Sequence, residues 1–270
     1  MADVLKRNNV QVSGAGSQPM LFAHGFGCDQ NMWRYVVPAF EEEYRIVLFD
    51  YVGAGRSDLA AYDPERYGRL EGYADDVLEI CHALDLRDVI LVGHSVSAMV
   101  AVLAANREPE RFAHLVLIGP SPRYVNDPPD YHGGFERKDI EGLLEMMDRN
   151  YIGWANFLAP AIVGNAERPE LGEELAASFC STDPVIARRF AEATFFADNR
   201  ADLDQVRVPA LILQCAEDMI APVEVGEYVH RHLAGSTLRM MSATGHCPHM
   251  SHPEETIRAI REYLRPADDG

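Results

Sequence analysis

The sequence predicts an α/β protein with a mostly parallel sheet, helices on both faces and a helical insertion. Short aliphatic runs alternate with helical segments along most of the chain, which is typical of parallel βα units. Residues 89–92 are all large and aliphatic, as expected for a strand buried on both faces. Between residues 121 and 202 a proline-rich loop leads into helical segments only. We therefore expect a core of residues 1–120 and 203–270 and a lid of residues 121–202.

The N-terminal part of the predicted core begins with an edge strand. Residues 8–13 alternate in polarity, which is typical of such a strand. Residues 31–40 are predicted to form a short helix that ends near Pro38. Apolar residues recur every three or four positions from 70 to 84, which predicts an amphipathic helix. The other predicted elements here are strands 20–23, 44–50, 89–92 and 115–118 and a helix from 98 to about 107.

The insertion and the C-terminal part complete the predicted fold. The predicted lid helices are at about 137–150, 152–163, 170–180 and 184–198. The alternation then resumes with strands 210–215 and 237–241, followed by helices 223–232 and 253–264. Because open parallel sheets bind ligands beyond the carboxyl ends of their strands, we expect the inserted helices to cover that edge.

Composition and charge restrict the class of protein. Of the 270 residues, 47% are hydrophobic and 24% are charged, which is ordinary for a globular domain. The net charge of −18 disfavours nucleic acid and anionic membranes as partners. Residues 1–12 lack the apolar core of a signal peptide, and the 5 scattered cysteines favour reduced thiols over a disulfide framework. We therefore expect a cytoplasmic location.

A serine lies in a very tight turn between the strand 89–92 and the next helix. The segment Gly93-His94-Ser95-Val96-Ser97 is close to the G-x-S-x-G nucleophile elbow, in which a sharp turn raises the serine hydroxyl above the sheet edge. Ser97 stands where the motif has its second glycine, a departure expected to displace the elbow helix slightly. Ser95 is therefore the candidate nucleophile.

Two later loops supply partners for Ser95. A serine hydroxyl needs a base to take its proton, and the base needs a carboxylate to orient it. In proteins with this elbow, Asp or Glu comes next in the chain and His comes last, each after a strand. Asp218 follows the first strand after the insertion and His246 follows the last strand. Glu217 is the alternative carboxylate, but the spacing within its loop favours Asp218.

A glycine-rich loop, His24-Gly25-Phe26-Gly27, follows the strand 20–23. Glycines at such a strand exit allow backbone N–H groups to face a ligand. In serine hydrolases with a nucleophile elbow, one N–H of this loop and the N–H after the nucleophile form the oxyanion hole. Phe26 and Val96 are therefore the predicted oxyanion donors.

Two other kinds of site are not favoured. Gly-Ala-Gly at 53–55 lacks the complete spacing of a phosphate-binding loop. The segment 246–252 is rich in histidine, but its spacings match no usual zinc pattern. We therefore expect neither a metal nor a cofactor. Serine at the nucleophile position points to attack on an acyl carbon or, less often, to cofactor-free cleavage of a C–C bond.

With these residues together, the chain resembles the RsbQ type of α/β-hydrolase, a positive regulator of the bacterial general stress sigma factor. It is similar, more distantly, to the plant karrikin and strigolactone receptor hydrolases. The resemblance implies the α/β-hydrolase fold with a four-helix lid. Besides the triad positions, it is carried by segments 26–30, 50–53, 126–129, 133–136, 150–154, 180–184 and 245–249.

The resemblance also implies a pocket and a partner. The pocket is hydrophobic and lies between core and lid, with walls formed by Phe26, Val96, Phe135, Trp154, Phe157, Phe195 and Met219. The partner is a PAS-domain phosphatase that is activated when the hydrolase supplies or presents a small hydrophobic compound. Three functions remain open at this point: a signalling serine hydrolase of a small apolar ester or lactone, a stand-alone metabolic esterase, lactonase or C–C hydrolase, and a ligand-binding receptor or scaffold with little turnover.

Overall fold

A seven-stranded sheet forms the centre of the computed structural model, which describes residues 3–265. The strands are β1 (Gln11–Ser13), β2 (Pro19–Ala23), β3 (Arg45–Leu48), β4 (Val89–His94), β5 (Phe112–Ile118), β6 (Ala210–Glu217) and β7 (Ser236–Thr244). Their order is β1-β3-β2-β4-β5-β6-β7, with β1 antiparallel to β3 and all other pairs parallel. The predicted mostly parallel sheet is confirmed. Residues 1–2 and 266–270 of the predicted core lie outside the described residues.

The sheet separates two apolar cores. Met20 and Phe22 of β2 belong to one core, and Leu21 and Ala23 belong to the other, because successive side chains of a strand point to opposite faces. Strand β4 is buried at every position and lies between β2 and β5. The end of β4, and the residue that follows it, therefore lie in the middle of the carboxyl edge of the sheet.

Helices cover both faces of the sheet. Residues of α2 (Leu70–Ala83) and α3 (Val96–Arg107) belong to the core on the Leu21 side, whereas residues of the last helix belong to the core on the Met20 side. Within residues 3–265, no helix is long and apolar enough to cross a membrane. The other α-helices are α1 (Val4–Arg7), α4 (Arg137–Arg149), α5 (Tyr151–Val163), α6 (Pro169–Ser181), α7 (Pro184–Phe195), α8 (Arg200–Leu203), α9 (Val223–His232), α10 (Pro248–Ser251) and α11 (Pro253–Leu264).

The helices α4 to α7 are inserted between β5 and β6, close to their predicted bounds. Two hydrogen bonds tie these inserted helices to loops at the carboxyl edge of the sheet. Ser178 Oγ of α6 donates to the Gly27 carbonyl at 2.8 Å, and the His246 N–H donates to the Ile162 carbonyl of α5 at 2.8 Å. The inserted helices therefore cover the edge at which the candidate catalytic residues lie.

Two N-terminal predictions are wrong in detail. Residues 31–40 do not form one helix but two 3-10 turns, Gln30–Trp33 and Val37–Ala39. Pro38 has no N–H to donate, which prevents a continuous helix through this segment. The edge strand begins at Gln11 and not at residue 8, because Asn9 has a φ of 46°, outside the extended region.

Candidate active site

Ser95 is the single residue between β4 and α3, and its backbone conformation is strained. Its φ of 56° and ψ of −123° lie in a region that costs a residue with a Cβ on the order of 1–3 kcal/mol. The Ser95 N–H donates to the Ile118 carbonyl at 2.8 Å, and the Ala98 N–H donates to the Ser95 carbonyl at 2.9 Å. A Cβ built on Gly93 would lie 2.4 Å from the Ser97 carbonyl oxygen, so this close approach needs glycine. Ser95 thus has the conformation of a nucleophile elbow.

A chain of hydrogen bonds joins Ser95 to residues from two later loops. His246 Nε2 lies 2.7 Å from Ser95 Oγ, and His246 Nδ1 lies 2.7 Å from Asp218 Oδ2. Ser95, Asp218 and His246 follow β4, β6 and β7, so parallel strands bring their ends together. All three residues are buried. With Nδ1 donating to Asp218, Nε2 can accept the proton of the Ser95 hydroxyl.

The Asp218 carboxylate is held by backbone amides as well as by histidine. Its Oδ1 accepts from the N–H groups of Ile220 at 2.8 Å and Ala221 at 3.0 Å. Burial alone would raise the pKa of Asp218, but His246 and the two amides outweigh burial and hold the pKa below its ordinary value. Asp218 is therefore ionised at neutral pH and fixes the Nδ1–H tautomer of His246.

Two further histidines border the site and stay neutral. His94 Nε2 donates to the His246 carbonyl at 2.8 Å, and burial, with a smaller effect of His246, lowers the pKa of His94 to about 3. His24 Nε2 accepts from the Tyr51 N–H at 3.2 Å, and its Nδ1 donates to the Gly25 carbonyl at 2.9 Å. Burial also lowers the pKa of His24. Both therefore support backbone at the site, and the contact with Ser95 is made by His246.

The loop after β2 passes directly beside Ser95. A Cβ built on Gly25 would lie 2.6 Å from His94 Nδ1 and 3.5 Å from Ser95 Cβ, so the loop needs glycine at this point. Within residues 3–265, neither the Phe26 N–H nor the Val96 N–H donates to another group of the protein. Both N–H groups are thus available to an oxygen that binds at Ser95.

Two cavities lie between the core and the inserted helices. The inner chamber, at Ser95, has a volume of about 30 Å³, and the outer groove has a volume of about 520 Å³. Phe195 and Ile220 line both cavities, which are therefore adjacent. The charged residues that line the outer groove are Lys138 and Asp139, and the rest of its lining is almost entirely apolar.

Most of the predicted pocket walls surround the outer groove. These are Phe135, Trp154, Phe157, Phe195 and Met219. Phe157 and Met219 are 66% and 49% exposed, whereas Trp154 is 2% exposed. Phe26 lines the inner chamber, and the buried Val96 lines neither cavity. Trp154 is therefore both part of the core of the inserted helices and a wall of the groove.

Comparison with known proteins establishes the family. The model of the alpha/beta hydrolase family matches residues 20–259. The chain belongs to the alpha/beta hydrolase family. The predicted fold class is thereby confirmed.

Relatives of this alpha/beta hydrolase are similar over nearly their whole length. Karrikin insensitive 2 receptor CA of Petunia hybrida is 39% identical over 98% of this chain and 98% of its own. Strigolactone esterase RMS3 of Pisum sativum is 41% identical over 93% of this chain and 94% of its own. The structure of a hydrolase from Oleispira antarctica superposes with a TM-score of 0.96 and 48% identity, covering 98% of this chain and 97% of that one. The predicted relation to karrikin and strigolactone receptor hydrolases is confirmed.

Glu217, the alternative carboxylate, and His249, in the histidine-rich segment 246–252, lie outside the hydrogen-bonded chain of this hydrolase. Glu217 is exposed, and its backbone carbonyl accepts from the Gly245 N–H at 2.7 Å. His249 is fully buried, with its ring centroid 4.4 Å from that of His94 and 4.7 Å from that of Trp33. In the described part of the chain, no three or more His, Cys, Asp or Glu residues are arranged to hold a metal ion.

Sequence reasoning missed two hydroxyl groups near the inner chamber. Thr194 lines the chamber, and the Tyr124 ring packs against Phe195 with centroids 5.1 Å apart. Among residues 3–265 the buried Thr194 hydroxyl has no hydrogen-bond partner, whereas the buried Tyr124 hydroxyl lies beside Ser95. Burial raises the pKa of Tyr124 to about 12, so the phenol keeps its proton. Neither residue belongs to a motif, because Thr194 lies in α7 and Tyr124 in the loop between β5 and α4, and only tertiary packing brings them near the chamber.

Proposed function

We propose that this alpha/beta hydrolase is a serine hydrolase that cleaves a small apolar ester or lactone. The observation that carries the proposal is the hydrogen-bonded chain from Ser95 Oγ through His246 to the ionised Asp218. The N–H groups of Phe26 and Val96 beside Ser95, and the full-length likeness to a strigolactone esterase, support it. Together these groups supply a nucleophile, a base and oxyanion donors.

In the first half of the proposed reaction, Ser95 Oγ attacks the carbonyl carbon of the ester while its proton passes to His246 Nε2. The carbonyl oxygen becomes an oxyanion that accepts hydrogen bonds from the N–H groups of Phe26 and Val96. The bond to the alcohol then breaks, the alcohol takes the proton from His246, and the acyl group stays on Ser95. Asp218 stabilises the imidazolium without taking its proton.

In the second half, His246 takes a proton from water, and the hydroxyl attacks the acyl carbon. The second tetrahedral intermediate uses the same oxyanion donors. It collapses by breaking the bond to Ser95 Oγ, which recovers its proton from His246, and the carboxylic acid leaves. With a lactone, the alcohol and the acyl carbon belong to one molecule, so the ring opens in the first half.

The two cavities indicate the character of the substrate. The outer groove has the volume and the apolar lining of a small-molecule site, and this lining favours an uncharged, apolar group. The inner chamber, at about 30 Å³, is much smaller than the groove. Phe195 and Ile220 line both cavities, so an ester with its acyl carbon at Ser95 and an apolar group in the groove would contact both side chains.

The test is hydrolysis of p-nitrophenyl acetate and p-nitrophenyl butyrate. We expect Ser95→Ala to lose at least 10³-fold in kcat, since the triad acts as a unit. Ser181→Ala removes an exposed serine hydroxyl from the end of α6 and is expected to leave the rate unchanged. Undiminished hydrolysis by Ser95→Ala contradicts the proposed nucleophile. No hydrolysis by the wild type favours the ligand-binding alternative.

We also propose that the hydrolase is a cytoplasmic positive regulator of stress-response signalling, with a PAS-domain phosphatase as its partner. The resemblance of the lid segments to the RsbQ type supports this role, as does the full-length likeness to a protein named as a karrikin receptor. The alternative is a stand-alone metabolic esterase, lactonase or C–C hydrolase, for which the same site would serve.

Signalling in the host cell separates these roles. We expect deletion of the gene and the Ser95→Ala replacement to reduce the stress response equally, because the product of hydrolysis would be the signal. A response lost on deletion but retained by Ser95→Ala indicates signalling by binding alone. A normal response after deletion leaves the metabolic role.

A further inference from the structure

Ser97, two residues after the candidate nucleophile, has a fully buried side chain. The atoms closest to a Cβ built on Gly93 are backbone atoms of residues 97 and 98. The Ser97 side chain therefore does not occupy the tight contact of the elbow. Both triad hydrogen bonds measure 2.7 Å with Ser97 in place, so serine at this position is compatible with the site.

The Ser97 hydroxyl lies between a carbonyl and a phenol. Its Oγ is 2.5 Å from the His24 carbonyl oxygen and 2.9 Å from the Tyr51 hydroxyl. A carbonyl can only accept, so Ser97 donates its one proton to His24, and Tyr51 donates to Ser97 Oγ. Burial raises the pKa of Tyr51, which keeps the phenol protonated. The polarity of this chain of two hydrogen bonds is therefore fixed.

The His24 carbonyl begins the loop that presents the Phe26 N–H. Another bond, from Ser178 Oγ to the Gly27 carbonyl, holds the far end of this loop to α6 at 2.8 Å. The bond from Ser97 holds the other end of the loop and comes from a different helix. It joins the start of the loop to the first turn of α3, the helix whose first N–H is that of Val96.

We propose that Ser97 is a positioning residue of the oxyanion hole. Its hydroxyl fixes the separation between the Phe26 N–H on the loop and the Val96 N–H on the helix. The pairing of β2 with β4 ends at Ala23 and Gly93, before either donor, and the bond from Ser97 joins the two segments beyond that point. Glycine, the usual residue of the motif at this position, has no side chain to form that bond. The inference depends on the proposed function, because it requires an oxyanion to form at Ser95.

Two variants test the role of the hydroxyl. Ser97→Gly restores the usual residue of the elbow, and Ser97→Ala removes the oxygen alone. We expect each to lower kcat for p-nitrophenyl butyrate about tenfold, less than the 10²–10³-fold loss typical when an oxyanion donor is deleted. KM should stay within about twofold, because oxyanion donors act on the transition state more than on the ground state.

A second readout measures the oxyanion hole directly. An alkyl trifluoromethyl ketone forms a hemiketal with an activated serine and places an oxyanion in the hole. We expect its inhibition constant to rise in the Ser97 variants by the factor by which kcat falls. Ser57→Ala is the matched control, since this buried hydroxyl also donates to a carbonyl, that of Ala54 at 2.7 Å, and accepts from an N–H, that of Gly53 at 3.0 Å.

Ser57→Ala should change the melting temperature but neither kcat nor the ketone affinity. Wild-type kcat and ketone affinity in the Ser97 variants would overturn the inference. A loss of kcat without a loss of ketone affinity in the Ser97 variants would also overturn it. An equal loss of kcat and ketone affinity in Ser57→Ala would overturn it as well. If Ser97→Ala does not fold, the glycine variant decides. Failure of the proposed function looks different, because the wild type itself would then neither hydrolyse esters nor bind the ketone through Ser95.

Discussion

Replacement of Asp218 by asparagine tests the role of its charge with little change in shape. The N–H groups of Ile220 and Ala221 point at one oxygen of the carboxylate, so the asparagine oxygen will take that place and its NH₂ group will face His246 Nδ1. Because NH₂ donates, Nδ1 must become an acceptor and the proton must move to Nε2. Nε2 is the atom that has to accept the Ser95 proton, so the variant holds the base in the wrong tautomer.

The expected loss follows from this geometry. The Asp218 and His246 side chains are buried and 2.7 Å apart, as in the trypsin triad, where the same replacement lowers kcat about 10⁴-fold. That factor corresponds to about 5.4 kcal/mol of activation free energy, at about 1.36 kcal/mol for each factor of ten. The assay is kcat for p-nitrophenyl butyrate, with the melting temperature measured to show that the variant is folded.

Glu217→Gln is the matched control, because Glu217 is the neighbouring carboxylate and its side chain is exposed. We expect it to retain kcat within about twofold, as is usual for a surface change away from a site. A loss below tenfold in folded Asp218→Asn would refute the tautomer argument. A larger loss in Glu217→Gln than in Asp218→Asn would transfer the role to Glu217.

The outer groove, a buried histidine and the inner chamber each carry a further prediction. Phe157→Ala should raise KM for apolar esters with little change in stability. Trp154→Ala should raise KM and also cost about 3–5 kcal/mol of unfolding free energy. Equal stability losses for the two variants in urea titrations would contradict the placement of Trp154 in the core and Phe157 at the surface. The pKa of His94, about 3 when folded, lies below its unfolded value, so stability falls as pH drops below about 6.5, by roughly 2 kcal/mol between pH 7 and 5. In urea titrations at pH 7 and pH 5, the unfolding free energy of His94→Gln should fall by roughly 2 kcal/mol less than that of the wild type. An unchanged pH dependence in this variant would contradict the role assigned to His94. Thr194→Val should retain or raise the melting temperature, because it removes a buried hydroxyl without a partner, and a fall of several degrees would show that the hydroxyl is satisfied.

Local pattern and chain topology were sufficient for the elements nearest the site. The aliphatic residues 89–92 followed by Gly93 predict where β4 ends, and hence the turn at Ser95. The rule that parallel strands end at one edge then predicts loops for Asp218 and His246, and the structure joins these side chains to Ser95 by hydrogen bonds. Such inferences need only that the strands are parallel, which the alternation of strands and helices predicts.

Features that depend on tertiary packing were not predicted. The bond from Ser97 to the His24 carbonyl joins segments distant in sequence, and from the motif alone Ser97 is only a departure from glycine. The small volume of the inner chamber depends on the packing of Phe195 and Ile220, which no periodicity reveals. The division of residues 31–40 into two 3-10 turns likewise reflects Pro38 and local capping by Asp29, which override a weak helical pattern.

The central claim is that Ser95 is the nucleophile, and its most direct test is covalent labelling with a fluorophosphonate. The labelled protein is digested with trypsin, and the modified residue is located by fragmentation of the peptide of residues 88–107, which contains both Ser95 and Ser97. The account predicts one phosphonyl group per chain, on Ser95, because His246 contacts that oxygen while the Ser97 hydroxyl is committed to the His24 carbonyl. A phosphonyl group on Ser97 or outside this peptide, or no reaction at all, would contradict it.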